Sequence, residues 1–203
     1  MTVASDMPKD EDLKESPGLP ALLLIDIQQG FEDHQYWGKR NNPDAEDRCS
    51  NVLAKWRSLG YPVIHVKHNS TNPDSPLYPN TPGNEFQHQV APLGNERVFE
   101  KSVNSAFIGT HLEDYLREQA IDSLVVVGLT TDHCVSTSTR MAGNMGFDVV
   151  LLSDATATFD RAGQNGQHYR AQQIHDIHLA SLDGEFCRVQ TSAECMAELA
   201  SHS

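Results

Sequence analysis

Apolar positions along this chain fall into short, nearly continuous runs separated by stretches with a helical repeat. Residues 19–27 (LPALLLIDI) are almost unbroken, the pattern of a strand buried on both faces. Residues 44–60 place Val52, Leu53, Trp56 and Leu59 on one stripe and stop at Gly60, which predicts a helix. Residues 61–66 (YPVIHV) and 97–101 (RVFEK) read as the second and third strands. A helix over 110–119 then carries Leu112, Tyr115 and Leu116 on one side. A fourth strand at 123–128, a helix at 133–145 closed by Gly146, and a fifth strand at 147–152 (FDVVLL) follow. A helix over 168–182 closed by Gly184, a weak sixth strand at 185–189 and a short helix at 192–200 complete the series.

Strands alternating with helices predict a parallel sheet covered on both faces. With right-handed crossovers this is a three-layer α/β/α, doubly wound, mostly parallel six-stranded, Rossmann-like fold. Its 203 residues suit one sizeable core, so residues 19–203 are read as a single domain. Residues 1–18 are acidic and lack an apolar stretch, so they read as a flexible arm rather than a secretory leader. Between the second and third strands, residues 68–95 hold five prolines, two glycines and five asparagines. Loops of that length in compact domains tend to serve function.

Composition narrows the function. The formal net charge is −13 with no basic cluster, so neither nucleic acid nor an anionic membrane surface is an expected partner. No run approaches the roughly 18 apolar residues of a membrane span. Cys49, Cys134, Cys187 and Cys195 lack paired spacing and read as free thiols in a reducing, cytoplasmic setting, not as a zinc site. No G-x-G-x-x-G follows the first strand and no P-loop is present, so no dinucleotide or other cofactor is expected.

In an open parallel sheet, ligands bind beyond the carboxyl ends of the strands. Three reactive residues fall there. Asp26 interrupts the apolar LLLI-D-I run, where an unpaired carboxylate costs on the order of several kcal/mol. Lys101 ends the third strand. Cys134 lies in GLTTDHCV (128–135), a polar turn at an expected helix start, a position that favours thiolate. Together they suggest acyl transfer to water through a thioester. Cys134 attacks, Lys101 holds the thiolate, Asp26 relays the proton, and backbone N–H groups of the turn bind the oxyanion.

At these residues the sequence resembles the isochorismatase-like cysteine hydrolase superfamily, which includes nicotinamidases and N-carbamoylsarcosine amidase. Three blocks carry the resemblance: ALLLIDIQQGF (21–31), FEKSVNSAFIGTHLEDYLRE (99–118) and VVVGLTTDHCVSTSTRMAGNMGFDVVLLSDATATFD (125–160), within a match over about 19–190. It implies a catalytic triad of Asp26, Lys101 and Cys134. It also implies a cis peptide at Leu129–Thr130 that aims the Thr130 N–H, with that of Cys134, into the oxyanion hole. Nicotinamidases in this superfamily carry a D-x-H…H metal site after the second strand. Residues 65–86 (HVKHNSTNPDSPLYPNTPGNEF) contain no D-x-H, so neither nicotinamidase activity nor a metal is expected. Isochorismatases, which cleave a vinyl ether, typically lack the cysteine. Its presence here favours the C–N bond of a small amide, carbamoyl or ureido substrate. The resemblance further implies a homodimer or homotetramer, with a partner's loops able to close the pocket.

Other readings stay open. The same fold can hydrolyse an ester, a lactam or an isochorismate-type vinyl ether, or serve as a non-catalytic oligomeric binding protein. Phe31, Trp37, Tyr78, His133 and Phe159 are candidate pocket residues or simple packing. His133 adjoins Cys134, but neighbours at a helix start point in different directions, so a Cys–His dyad is not expected. Gln29 either binds Asp26 or turns the loop, and Ser102 and Asn104 are candidate donors behind Lys101. His168, His175 and His178 read as a solvated or packed helix rather than a metal site.

Overall fold

In the computed structural model, which describes residues 19–201, the first apolar run becomes the strand β1 (Ala21–Ile25), buried at every position. Segment 1–18, expected to be an arm, lies outside the described residues. Alternation along β1 explains the unbroken run. Ala21, Leu23 and Ile25 enter one core cluster, while Leu22 and Leu24 enter another on the opposite face.

The chain continues through a short helix α1 (His34–Trp37), α2 (Ala45–Leu59), β2 (Val63–His68), β3 (Arg97–Lys101), α3 (Leu112–Glu118) and β4 (Ser123–Leu129). Then come α4 (Ser136–Asn144), β5 (Asp148–Ala157), the two-residue strands β6 (Arg161–Ala162) and β7 (His168–Tyr169), α5 (Ala171–Leu182), β8 (Arg188–Gln190) and α6 (Ser192–Ser201). Six strands form one parallel sheet in the order β3-β2-β1-β4-β5-β8, with β6 and β7 paired separately as an antiparallel hairpin. Val52, Leu53 and Trp56 of α2 and Cys195 of α6 pack on the Leu22/Leu24 face. Leu112 and Leu116 of α3, Ala142 of α4 and Leu182 of α5 pack on the other. This is the three-layer, doubly wound α/β fold.

Several elements depart from the pattern reading: the sixth strand forms at Arg188–Gln190 rather than 185–189, and the helix expected from 133 begins at Ser136. The helix expected from 168 begins only at Ala171, and His168 lies in the hairpin instead. The side chains of Asp160 and Gln173 accept from the N–H groups of Ala171 and Arg170, satisfying orphan donors at that point and fixing the start there. The fifth strand runs five residues past the expected Leu152, to Ala157. Its pairing with β4 jumps from Val126↔Leu151 to Gly128↔Thr156, a bulge whose Ser153 and Thr156 carbonyls accept from Asn42 Nδ2. That polar bulge hides the strand from an apolar-run reading.

Candidate active site

The strand order sets β1 beside β4 at the centre of the sheet, with successive connections leaving in opposite directions. The crevice beyond their carboxyl ends is the expected ligand position in such a fold. Asp26 is the first residue after β1 and is fully buried, with φ at +52° and its N–H bonded to the Val66 carbonyl. Beyond β4, the Leu129–Thr130 peptide is cis, and Thr131–Val135 form a wide turn that leads into α4. Cys134 sits in that turn, 8% exposed. Lys101 ends β3 and reaches past the end of β2 to the same place.

Its ammonium joins the three elements. Lys101 Nζ lies 2.6 Å from Asp26 Oδ2, 3.3 Å from Cys134 Sγ and 3.1 Å from His68 Nδ1. Asp26 Oδ1 and Thr130 Oγ1 are buried with no hydrogen-bond partner among the described residues. Asn104, exposed, holds its Oδ1 3.8 Å from Cys134 Sγ. Ser102, on the same loop, is exposed and makes no side-chain hydrogen bond among the described residues.

The electrostatics correct one expectation. Burial, and then the neighbouring Asp26 charge, push the Cys134 thiol well above its ordinary value, and the opposing pull of Lys101 is smaller. Burial therefore favours the thiol over a standing thiolate at Cys134. Burial is the first of these causes because the sulfur is enclosed.

Asp26, His68 and Cys134 offer ligand atoms within 4.8 Å of one another. The Lys101 ammonium is already bonded to all three, so a divalent ion would meet a fixed positive charge and occupied donors. These residues do not fit a metal.

The remaining candidates divide. Phe31, Trp37 and Phe159 pack on one another, with centroids 4.9 Å apart for Phe31–Trp37 and 5.5 Å for Trp37–Phe159. Phe31 and Phe159 are buried in one cluster with Leu129, so they back the end of β4 rather than wall an open pocket. Tyr78 is exposed, and its neighbour Leu77 joins that cluster instead. His133 is exposed and turns to Asp132, 3.5 Å away, not to the sulfur. Asp132 also accepts from Thr158 Oγ1 and Arg161 Nε; these bonds, with the nearby His133, draw its pKa down to about 2 against the effect of burial. His175 bonds Thr131 Oγ1 at 2.9 Å, so it braces the turn that carries Cys134. Cys49, Cys187 and Cys195 are buried free thiols away from this cluster, their pKa values raised by burial. Gln29 turns the loop through a bond from Nε2 to the Phe86 carbonyl.

The pattern reading missed His68, Gln28 and Asn84. Buried Gln28 and Asn84 spend their carboxamides on the backbone of His68 and its loop. A partial signal existed: His68 lies two residues past the expected strand 61–66, and the structure extends that strand to His68, on the same rim as Asp26 and Lys101.

Comparison with known proteins bears on the family and the fold. The isochorismatase domain model matches residues 20–194. An uncharacterized isochorismatase family protein of Bacillus subtilis is 46% identical over 172 residues, covering 85% of this chain and 91% of its own. Nicotinamidase 3 of Arabidopsis thaliana is 30% identical over 199 residues, covering 88% of this chain and 89% of its own. A solved structure of an isochorismatase-family protein from Chromobacterium violaceum superposes with a TM-score of 0.88 at 45% identity, covering 96% of this chain and all of the other.

Proposed function

The chain belongs to the isochorismatase family of hydrolases, and we propose that it cleaves the C–N bond of a small amide, carbamoyl or ureido compound through a thioester on Cys134. One observation carries this reading: a single buried ammonium, that of Lys101, touches both a carboxylate and a thiol at the ends of three strands. A similar chain being a nicotinamidase supports an amide as the bond broken. Nicotinamide held on a metal lies outside this reading, because residues 65–86 carry no D-x-H and the Lys101 ammonium occupies Asp26, His68 and Cys134.

The raised thiol pKa shapes the first step. Asp26 takes the proton from Cys134 Sγ as the sulfur attacks the carbonyl carbon. The developing oxyanion is received by the N–H groups of Thr130 and Cys134. The C–N bond breaks as Asp26 returns that proton to the leaving nitrogen. Water then attacks the carbonyl carbon of the thioester as Asp26 takes a proton from it, the C–S bond breaks, Asp26 passes that proton to Sγ, and a carboxylic acid, or a carbamic acid from a carbamoyl or ureido substrate, is released. Lys101 keeps the Asp26 carboxylate in place and offsets negative charge on sulfur.

The test is a panel of small amides, carbamoyl and ureido compounds, read by ammonia or amine release. A substrate turned over by the wild type and not by Cys134→Ala supports the reading. Full turnover by Cys134→Ala on that substrate overturns it.

A further inference from the structure

His68 completes the hydrogen-bond set of the Lys101 ammonium. That ammonium has three hydrogens to donate and no acceptor, and its partners are Asp26 Oδ2, Cys134 Sγ and His68 Nδ1. Nδ1 must then be the accepting nitrogen, so the ring is neutral with its proton on Nε2. The fold holds the residue firmly. Gln28 accepts from the His68 N–H at 2.9 Å and donates to its carbonyl at 3.0 Å, and Asn84 donates to the same carbonyl at 2.9 Å. Gln28 is fully buried and Asn84 nearly so. His68 also stands opposite Lys101 in the β2–β3 register, so sheet geometry rather than a flexible reach sets ring beside ammonium.

We propose that His68 is a positioning residue: as a neutral imidazole it takes the third hydrogen of Lys101 and so aims the other two at Asp26 and Cys134, and its protonation in acid undoes that aim. The proposal rests on the thioester reading. The charged groups that face the ring are Lys101 from β3 and Asp26 from the end of β1, with the Cys134 thiol beyond them from the turn before α4. Burial, and then the Lys101 charge, hold the imidazole below its ordinary pKa against Asp26 and a hydrogen bond to the Val103 backbone. The neutral form therefore prevails at neutral pH. Once protonated, Nδ1 becomes a donor, competes with Lys101 for the Asp26 carboxylate, and repels the ammonium.

The test needs no substrate. Iodoacetamide labelling of Cys134 is followed by mass spectrometry across pH in the full chain, with Cys49, Cys187 and Cys195 as internal references. The proteins are wild type, Lys101→Ala, His68→Asn and His68→Leu. Asparagine presents an oxygen near the Nδ1 position but does not titrate in this range, and leucine offers no acceptor. The wild-type rate should fall more steeply on the acid side, below the ordinary imidazole value of about 6.5. His68→Asn should keep the neutral-pH rate within a few-fold and lose that steepening. His68→Leu should label roughly tenfold more slowly at neutral pH, the loss of about one hydrogen bond's worth of placement. A wild-type rate in His68→Leu, or a steepening that survives in His68→Asn, overturns the proposal. If His68→Leu does not fold, the His68→Asn profile decides alone. If Lys101→Ala slows labelling and neither His68 variant changes it, the His68 proposal alone falls. If Lys101→Ala leaves the labelling of Cys134 unchanged, the thioester reading falls and this proposal with it.

Discussion

Lys101 Nζ and Asp26 Oδ2 form an ion pair 2.6 Å apart in which neither side chain is exposed to solvent. Desolvating two charges is expensive, and removing one partner leaves the other buried and uncompensated. Asp26→Leu or Lys101→Met alone should therefore cost about 3 kcal/mol of stability. The double variant, which removes both charges, should recover most of that loss while remaining without turnover. Urea unfolding midpoints and substrate hydrolysis, measured on the same three proteins, check this. A double variant as unstable as either single one would mean that the pair itself, not the orphaned charge, carries the stability.

The thiol should respond to its two neighbours with opposite signs. Burial and the Asp26 charge raise its pKa, and Lys101 lowers it. A thiol held high yields a thiolate fraction that keeps growing with pH, so labelling of Cys134 should show no plateau near neutrality. Asp26→Asn removes a raising charge and should label faster than wild type at a given pH, yet hydrolyse nothing, because the proton relay is gone. Lys101→Ala should label more slowly. Mass-spectrometric rates for the three proteins read this directly, and a plateau near neutral pH would show a standing thiolate after all.

Asp26, Lys101 and Cys134 were legible in the sequence because each ends a strand or opens the turn after one, and the apolar runs that mark those strands are short and clear. The parallel sheet followed from the same alternation. What escaped depends on backbone contacts between distant segments. Gln28 reads as any polar residue after a strand until its carboxamide is seen holding His68, 40 positions away. The aromatic residues Phe31, Trp37 and Phe159 signalled apolar bulk correctly, but whether such bulk packs on itself or lines a cavity depends on how three loops fold together. The burial of Cys134, which favours its thiol form, escaped for a related reason. A helix start can be read in a sequence, whereas enclosure at 8% exposure cannot.

Acid stability should rest in part on Glu96. Its carboxylate accepts from Arg57 at 2.7 and 2.8 Å, from His65 at 2.8 Å and from the Leu93 N–H at 2.9 Å. Arg57 leads these bonds in drawing its pKa from 4.5 to about 2, against the effect of burial. A carboxylate depressed in the folded state contributes stability that is present above its unfolded pKa and lost as pH falls through the folded one. His65, which burial holds low, works in the same direction, since acid favours the unfolded chain where it protonates freely. Unfolding midpoints of wild type should therefore begin to decline below about pH 6.5, as the unfolded chain protonates His65, and fall further from about pH 4.5 towards about pH 2 with Glu96; Glu96→Gln should be less stable at neutral pH with a shallower decline over the lower range. An equal decline in both proteins would place the acid sensitivity elsewhere.

Gly128 controls how closely the two halves of the site approach. It pairs with Ile25 across β4 and β1, at φ +124°, and a Cβ there would lie 2.0 Å from the Ile25 carbonyl oxygen and 2.8 Å from the Ile25 carbonyl carbon and nitrogen. All three are backbone atoms that no rotamer change can clear. Alanine at 128 should thus force β1 and β4 apart just before Asp26, costing at least about 2 kcal/mol. Gly60 supplies the control: it too has a positive φ, at +68°, but nothing lies within 4 Å of its Cβ position. Gly60→Ala should therefore cost only about 1 kcal/mol of backbone strain. The site should separate the two variants further. In the fraction of Gly128→Ala that stays folded, Asp26→Asn should no longer speed labelling of Cys134, because the carboxylate has left the thiol. In Gly60→Ala that acceleration should persist. If both variants lose equal stability, the close contact between Gly128 and Ile25 is not what brings Asp26 to Cys134.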